Sequence, residues 1–299
     1  MEPFATRGEK VFYVANYIFL GLLGLVAVFP FYLVVVRAVA PTSDYAQRAI
    51  VLYPSRITWD YFNILFNDPA TKIWTAYKNS IFITVVGTLL NLVAVILTAF
   101  PLAEKKLPFR SQITFFFLTT MFIGGSLFSN YILYSRLKLL DTLWVLIVPG
   151  IFGTYNIILL RNFLMQLPEE LIEASIIDGC SQFQTIWYVV LPLSKAALAT
   201  IGLFCAVGHW SQFGGWIYFI SPTKQNLTIL QVFLHDIIGS KTKQPGSAGA
   251  DTMFEDGIRS SPEGLKAAAT LAVTVPILCV YPFIQKHFAK GLVIGSLKG

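Results

Sequence analysis

Six apolar stretches, none holding an Asp, Glu, Lys or Arg, constrain this chain more than any other feature: residues 11–36, 79–103, 113–133, 142–160, 196–220 and 267–285. A helix crossing the hydrocarbon core of a bilayer needs about 20 consecutive apolar residues. Within that core each backbone polar group must be satisfied inside the segment, which favours helices. The pattern predicts an all-α membrane protein with six transmembrane helices in a single domain over 1–299. Composition agrees, with only 13% of the 299 residues charged, where soluble domains carry about a quarter. An even number of spans returns both termini to one side. The run at 11–36 is too long for the core of a cleavable signal and shows no small-residue cleavage site.

The uncharged spans argue against whole classes of function. Carriers driven by ion gradients usually need ionisable groups at membrane depth. A membrane-embedded hydrolase needs a nucleophile with its base, or a metal cluster. His209 is the only strongly polar titratable side chain in these segments, and alone it supplies neither. Cys180, Cys205 and Cys279 fall into no metal-binding spacing and read as small hydrophobes. The chain also lacks the Gly-x-x-x-x-Gly-Lys-Ser/Thr phosphate loop, so ATP hydrolysis would have to occur in a partner. The net charge of +6 requires no nucleic acid, because basic residues collect in cytoplasmic loops of membrane proteins. The short loops on the side of the termini carry Arg7, Lys10, Lys105, Lys106, Arg110, Lys286, Lys290 and Lys298, against Arg136 and Lys138 opposite. That bias favours the termini in the cytoplasm only modestly.

Uncharged polar residues remain to line any path: Asn91, Asn130, Tyr131, Tyr155, Asn156, His209, Trp210, Ser211 and Gln212. Aromatic faces with amides and hydroxyls suit a sugar, and the same residue types also join helices by hydrogen bonds. Both readings stand at this level. Gly124-Gly125, Pro149-Gly150 and Gly153 provide for bends or for close helix approach. The long connection 37–78 holds an amphipathic segment, 58–66, suited to a membrane surface. The other, 221–266, includes the Gly/Ser/Pro-rich stretch 239–262, which reads as a loop tip.

Residues 166–192 are a charged island between apolar runs. Pro168 suits a first helical turn, with Glu169 and Glu170 at the positive end of that helix. Leu171, Ala174, Ile176 and Ile177 recur at helical spacing as one apolar face, and Gly179 stops the helix. Phe183, Ile186, Trp187 and Val190 begin a second amphipathic turn before Leu191-Pro192. An interfacial amphipathic helix is the plain alternative.

This segment resembles the cytoplasmic loop of permeases in binding-protein-dependent ABC importers. That family's pattern is Glu-Ala-Ala, three residues, Gly, nine residues, then Ile-x-Leu-Pro. Here Glu173-Ala174-Ser175, Gly179 and Val189-Val190-Leu191-Pro192 stand at those spacings, with Ser175 and Val189 as the departures. The stretches 139–144, 149–150 and 161–170 look like carbohydrate-type permeases, and 281–299 is similar to the tail of the smaller maltose-type permease. Residues 17–20, 121–125 and 206–210 look most like the branch that imports polysaccharides and oligosaccharides, aldouronate and alginate among them.

The resemblance implies a type I importer permease fold in a bacterial inner membrane. It implies a second homologous permease, two ATPase subunits that use ATP and Mg, and an extracytoplasmic solute-binding protein, with no cofactor on this chain. The loop 161–195 would hold the coupling helix, with Glu169, Glu170, Glu173, Ala174, Ser175, Asp178 and Gly179 meeting the ATPase. The loop before the last span would reach toward the binding protein. Another solute, a peptide or a polyol, is the nearer alternative, and a gradient-driven carrier acting alone is the more distant one.

Overall fold

The computed structural model describes residues 7–47, 51–239 and 263–279. The loop tip read over 239–262 lies, from 240 onward, outside these residues, as do the end of the sixth stretch and the tail over 281–299. The described residues are helical, with no strand among them. In order they are α1 (Arg7–Val39), α2 (Thr42–Gln47), α3 (Asp60–Asn67), α4 (Ile73–Ala103), α5 (Arg110–Phe122) and α6 (Leu127–Arg136). Short 3-10 turns at Leu143–Leu146 and Val148–Gly150 lead to α7 (Thr154–Leu164), α8 (Glu169–Ile177) and α9 (Gln182–Thr185). A π turn, Ile186–Val190, then precedes α10 (Leu191–Leu193), α11 (Lys195–Trp210), α12 (Gly214–Phe219) and α13 (Leu230–Gly239). A last helix, α14, occupies 263–279.

Two expected spans are continuous. Among the described residues, Gly8–Val39 and Ile73–Ala103 are long and apolar enough to cross a membrane unbroken. The other expected spans depart from straight helices. The third breaks between α5 and α6 with a 113° bend. Gly124 and Gly125 fall in the break, and Ser126 caps the new helix by accepting from the Ser129 amide. The fourth bends by 41° between Leu143–Gly150 and α7, where Pro149, Gly150 and Gly153 interrupt the ladder. The fifth ends early: α11 stops at Trp210, residues 211–213 intervene, and α12 follows. Gln182–Leu193 and α11 form a third bent pair at 87°, and counting each such pair as one crossing gives up to five spans among the described residues by length and composition.

The chain divides into two compact units, Met1–Lys72 with Leu234–Val275 and Ile73–Phe233 with Pro276–Gly299. In the first, the most apolar window of α1 is 0% buried. Beyond it, the buried Asp44 carboxylate accepts from the Ser55 amide (2.8 Å) and hydroxyl (2.6 Å). The expected helix over 58–66 is α3, which buries Tyr61 and Leu65. Gly264 of α14 lies so close to Tyr61 that a Cβ there would fall 2.3 Å from the ring. The Tyr45 hydroxyl donates to the Arg37 carbonyl, and burial pushes this phenol well above its ordinary range, which keeps it a donor.

The second unit is built on α4, α7 and α11. Val95, Ala99 and Leu102 meet Ile157, Leu160 and Leu164, with Ile201 and Cys205 completing the cluster. A second cluster joins Ile83 of α4 to Val145, Leu146, Ile147, Trp216, Ile220, Ile229 and Val232. Hydrogen bonds pin the 221–230 connection to α4. Asn79 donates to the carbonyls of Asn226 (2.9 Å) and Thr228 (2.8 Å), and Ser80 Oγ accepts from the Leu230 amide (2.9 Å). In lipid such bonds and close van der Waals packing hold helices together, because apolar burial gains little against an apolar solvent.

Candidate functional site

A cavity of about 320 Å³ opens within the second unit, lined from both clusters. Its polar lining comes from α4, α7, the end of α11 and the connection after it: Asn91, Asn156, His209 and Gln212. An aromatic part comes from Tyr134 of α6 and Phe219 of α12, whose rings pack edge to face at 4.9 Å and 77°. Val145, Leu146, Pro149 and Cys205 complete the lining with Gly150, Gly153, Gly208 and Gly215. Among the described residues, none of those lining the cavity is Lys, Arg, Asp or Glu.

The polar wall is organised around His209. Asn91 Nδ2 donates to the Gly87 carbonyl (3.1 Å), which fixes which way its amide faces. The same nitrogen lies 3.1 Å from His209 Nε2. Nε2 therefore accepts, and the imidazole proton sits on Nδ1. The Gln212 backbone amide donates to the His209 carbonyl at 3.3 Å. Gly87 makes room for this arrangement, since a Cβ there would come within 2.5 Å of Nε2. On α7, Asn156 Nδ2 donates to Cys205 Sγ at 3.3 Å.

Of the residues expected along a path, the fold brings together Asn156, His209 and Gln212, with Asn91. It places others elsewhere. Tyr131 and Tyr155 are exposed, Trp210 is buried, and Asn130 turns its amide oxygen toward Gly125. Tyr134 was missed by sequence reasoning, although it lies one helical turn after Tyr131 on the same segment. The cysteines split: Cys205 is buried as expected, Cys180 is half-buried, and Cys279 is exposed.

A second feature is the elbow between α8 and α9. The Gly179 amide donates to Ile176 O and the Cys180 amide to Ser175 O, both at 3.0 Å. With Gly179 at φ +83°, this is a Schellman closure, a conformation suited to glycine. Ser181 then begins α9 with a capping box. Its hydroxyl accepts from the Gln184 amide, and the Gln184 side chain accepts from the Ser181 amide at 2.7 Å. Ser175 donates to Ile172 O (2.7 Å) and accepts from Thr185 Oγ1 (3.0 Å), both hydroxyls being buried. The Ser175 side chain thus locks α8 to α9.

Glu169, Glu170, Glu173, Ala174, Asp178 and Gly179 are exposed. So are Leu171, Ile176 and Ile177, so the apolar face read from the sequence looks outward in this chain. Lys105 meets Glu169 at 3.0 Å, an exposed pair worth little in stability. Arg110 and Arg161 both donate to the Leu102 carbonyl, at 3.1 and 3.0 Å, near the end of α4. Cations suit a helix C-terminus, and these two fasten the starts of α5 and the end of α7 to α4.

The family described as binding-protein-dependent transport system inner membrane component matches residues 11–294, and the chain belongs to it. Protein LplC of Bacillus subtilis (strain 168) is 37% identical, over 98% of this chain and 97% of its own length. The polygalacturonan/rhamnogalacturonan transport system permease protein YtcP of the same organism is 33% identical, over 97% and 99%. The fold is similar to a chain in the crystal structure of a bacterial ABC transporter involved in the import of the acidic polysaccharide alginate. There the TM-score is 0.85 at 26% identity, covering 96% of this chain and 99% of that one.

Proposed function

We propose that this chain is a transmembrane permease subunit of an ATP-driven importer, translocating an oligosaccharide or polysaccharide that a solute-binding protein delivers. The observation that carries this reading is likeness from end to end, in sequence and in fold, to importer permeases. In this scheme the chain crosses a bacterial inner membrane six times with both termini in the cytoplasm. It pairs with a second homologous permease and binds no cofactor. Two partner ATPases bind ATP and Mg.

The elbow supplies the mechanical link. Its exposed side offers Glu169, Glu170, Glu173, Ala174 and Asp178 to an ATPase cleft, while the Ser175–Thr185 lock and the Gly179 turn fix the angle between α8 and α9. Motion of the ATPases then tilts the elbow as one body, and its continuation through α10 into α11 carries that motion to the cavity wall at His209. Asn156, His209 and Gln212 lie on the solute path in this reading.

Reconstitution into proteoliposomes tests it. Copurified partner permease, ATPases and binding protein are assembled with this chain, and uptake of labelled oligosaccharide is followed. Uptake that needs both the ATPases and Mg-ATP is expected. Equal uptake by the permeases alone would make the protein a carrier and sink the proposal.

A further inference from the structure

The geometry points to a cavity that holds one uncharged sugar ring and disfavours a uronate, so that this subunit selects neutral stretches of glycan. The inference rests on the importer reading and deepens it. At about 320 Å³ the cavity is at the small end of ligand sites, a size for one pyranose rather than an oligomer. Tyr134 and Phe219, an edge-to-face pair in the lining, supply an apolar platform for the C–H face of a sugar. Asn156 and Gln212 also line the cavity, each amide carrying donor and acceptor atoms that match hydroxyls.

Charge decides against the acid. A carboxylate moved into a cleft without a cation loses its hydration and gains no ion pair. Among the described residues, none lining the cavity is Lys or Arg. His209 is poorly placed to become the missing cation. Its Nε2 faces Asn91 Nδ2, a nitrogen whose orientation the Gly87 carbonyl fixes. A proton on Nε2 would set N–H against N–H. The solved alginate importer handles an acidic polysaccharide; the walls here suit the opposite chemistry.

The test compares galactotetraose with tetragalacturonate, which differ only by carboxylates at C6. Calorimetry is done on the complete complex, with partner permease and ATPases, in nanodiscs and without binding protein. Galactotetraose is expected to bind at least about tenfold more tightly, a gap of roughly 1.4 kcal/mol. Asn156→Ala and Tyr134→Leu should each weaken it several-fold. Gln212→Arg should narrow or reverse the preference, and Gln212→Glu, nearly the same size, should widen it in an intact complex. Equal or tighter binding of tetragalacturonate overturns the proposal, as does galactotetraose binding unmoved by Asn156→Ala and Tyr134→Leu. ATP-dependent uptake of tetragalacturonate in proteoliposomes would defeat the neutral selectivity and leave the importer intact. Saccharide uptake independent of the ATPases would instead defeat the importer reading.

Discussion

Gly87 shows how one missing side chain organises a polar wall. A Cβ there would meet the His209 ring at 2.5–2.8 Å, and that ring is held by Asn91. Two effects of Gly87→Ala oppose each other. Alanine is the better helix former by about 1 kcal/mol, while overpacking a close contact costs about 1–3 kcal/mol. The steric cost should win, because the imidazole cannot retreat without giving up its hydrogen bond to Asn91. Gly87→Ala is therefore expected to lower the thermal midpoint of the purified complex. Adding His209→Ala should recover part of the loss, which a double-mutant cycle measures directly. The sequence showed His209 as a hydrogen-bonding residue of a span. It did not show its partner, because Asn91 lies 118 residues away and no local pattern links the two.

At the scale of elements, legibility follows the range of the forces involved. The elbow was readable because its determinants are local. Pro168, Gly179 and the Ser181/Gln184 box act within a few residues of themselves, and α8 and α9 lie where they direct. Continuous apolar length likewise located α1 and α4. The broken spans were less legible. Hydropathy runs straight through Gly124-Gly125 and through 211–213, yet the helices stop there, because backbone interruption is set by tertiary partners as much as by residue type. The elbow also carries a prediction. Gly179 has φ +83°, so a side chain there costs about 1–2 kcal/mol and shifts the angle between the arms. Gly179→Asp, and Glu173→Lys on the exposed face, should leave the protein inserted at normal levels but cut ATP-dependent uptake at least about tenfold, taking uptake per inserted molecule as the readout. Normal uptake by a well-expressed Gly179→Asp protein would remove the elbow from the mechanism.

At the scale of the whole molecule, the two units each keep their own buried polar anchors, Asp44 with Ser55 in one and Asn79 with the 226–228 backbone in the other. The loop at 241–250 is outside the described residues, and its role is a matter for experiment. Its deletion should weaken uptake driven by the binding protein more than it weakens recovery of the assembled complex, both being measured on the same membranes. The pattern of apolar length was enough to read a membrane protein from the chain, and the spacing of Glu173, Gly179 and Leu191-Pro192 carried its likeness to importer permeases, whereas Tyr134 and Phe219 meet only through folding across 85 residues (219 − 134). The charge-free cavity has one more consequence. A formal charge moved through the full voltage gains or loses about 2.3 kcal/mol per 100 mV. Neither these walls nor a neutral sugar ring carries one. Uptake should therefore proceed at the same rate in proteoliposomes clamped by valinomycin at zero or at strongly negative potential. A cell whose membrane has been depolarised would keep feeding through this protein for as long as its ATP lasted.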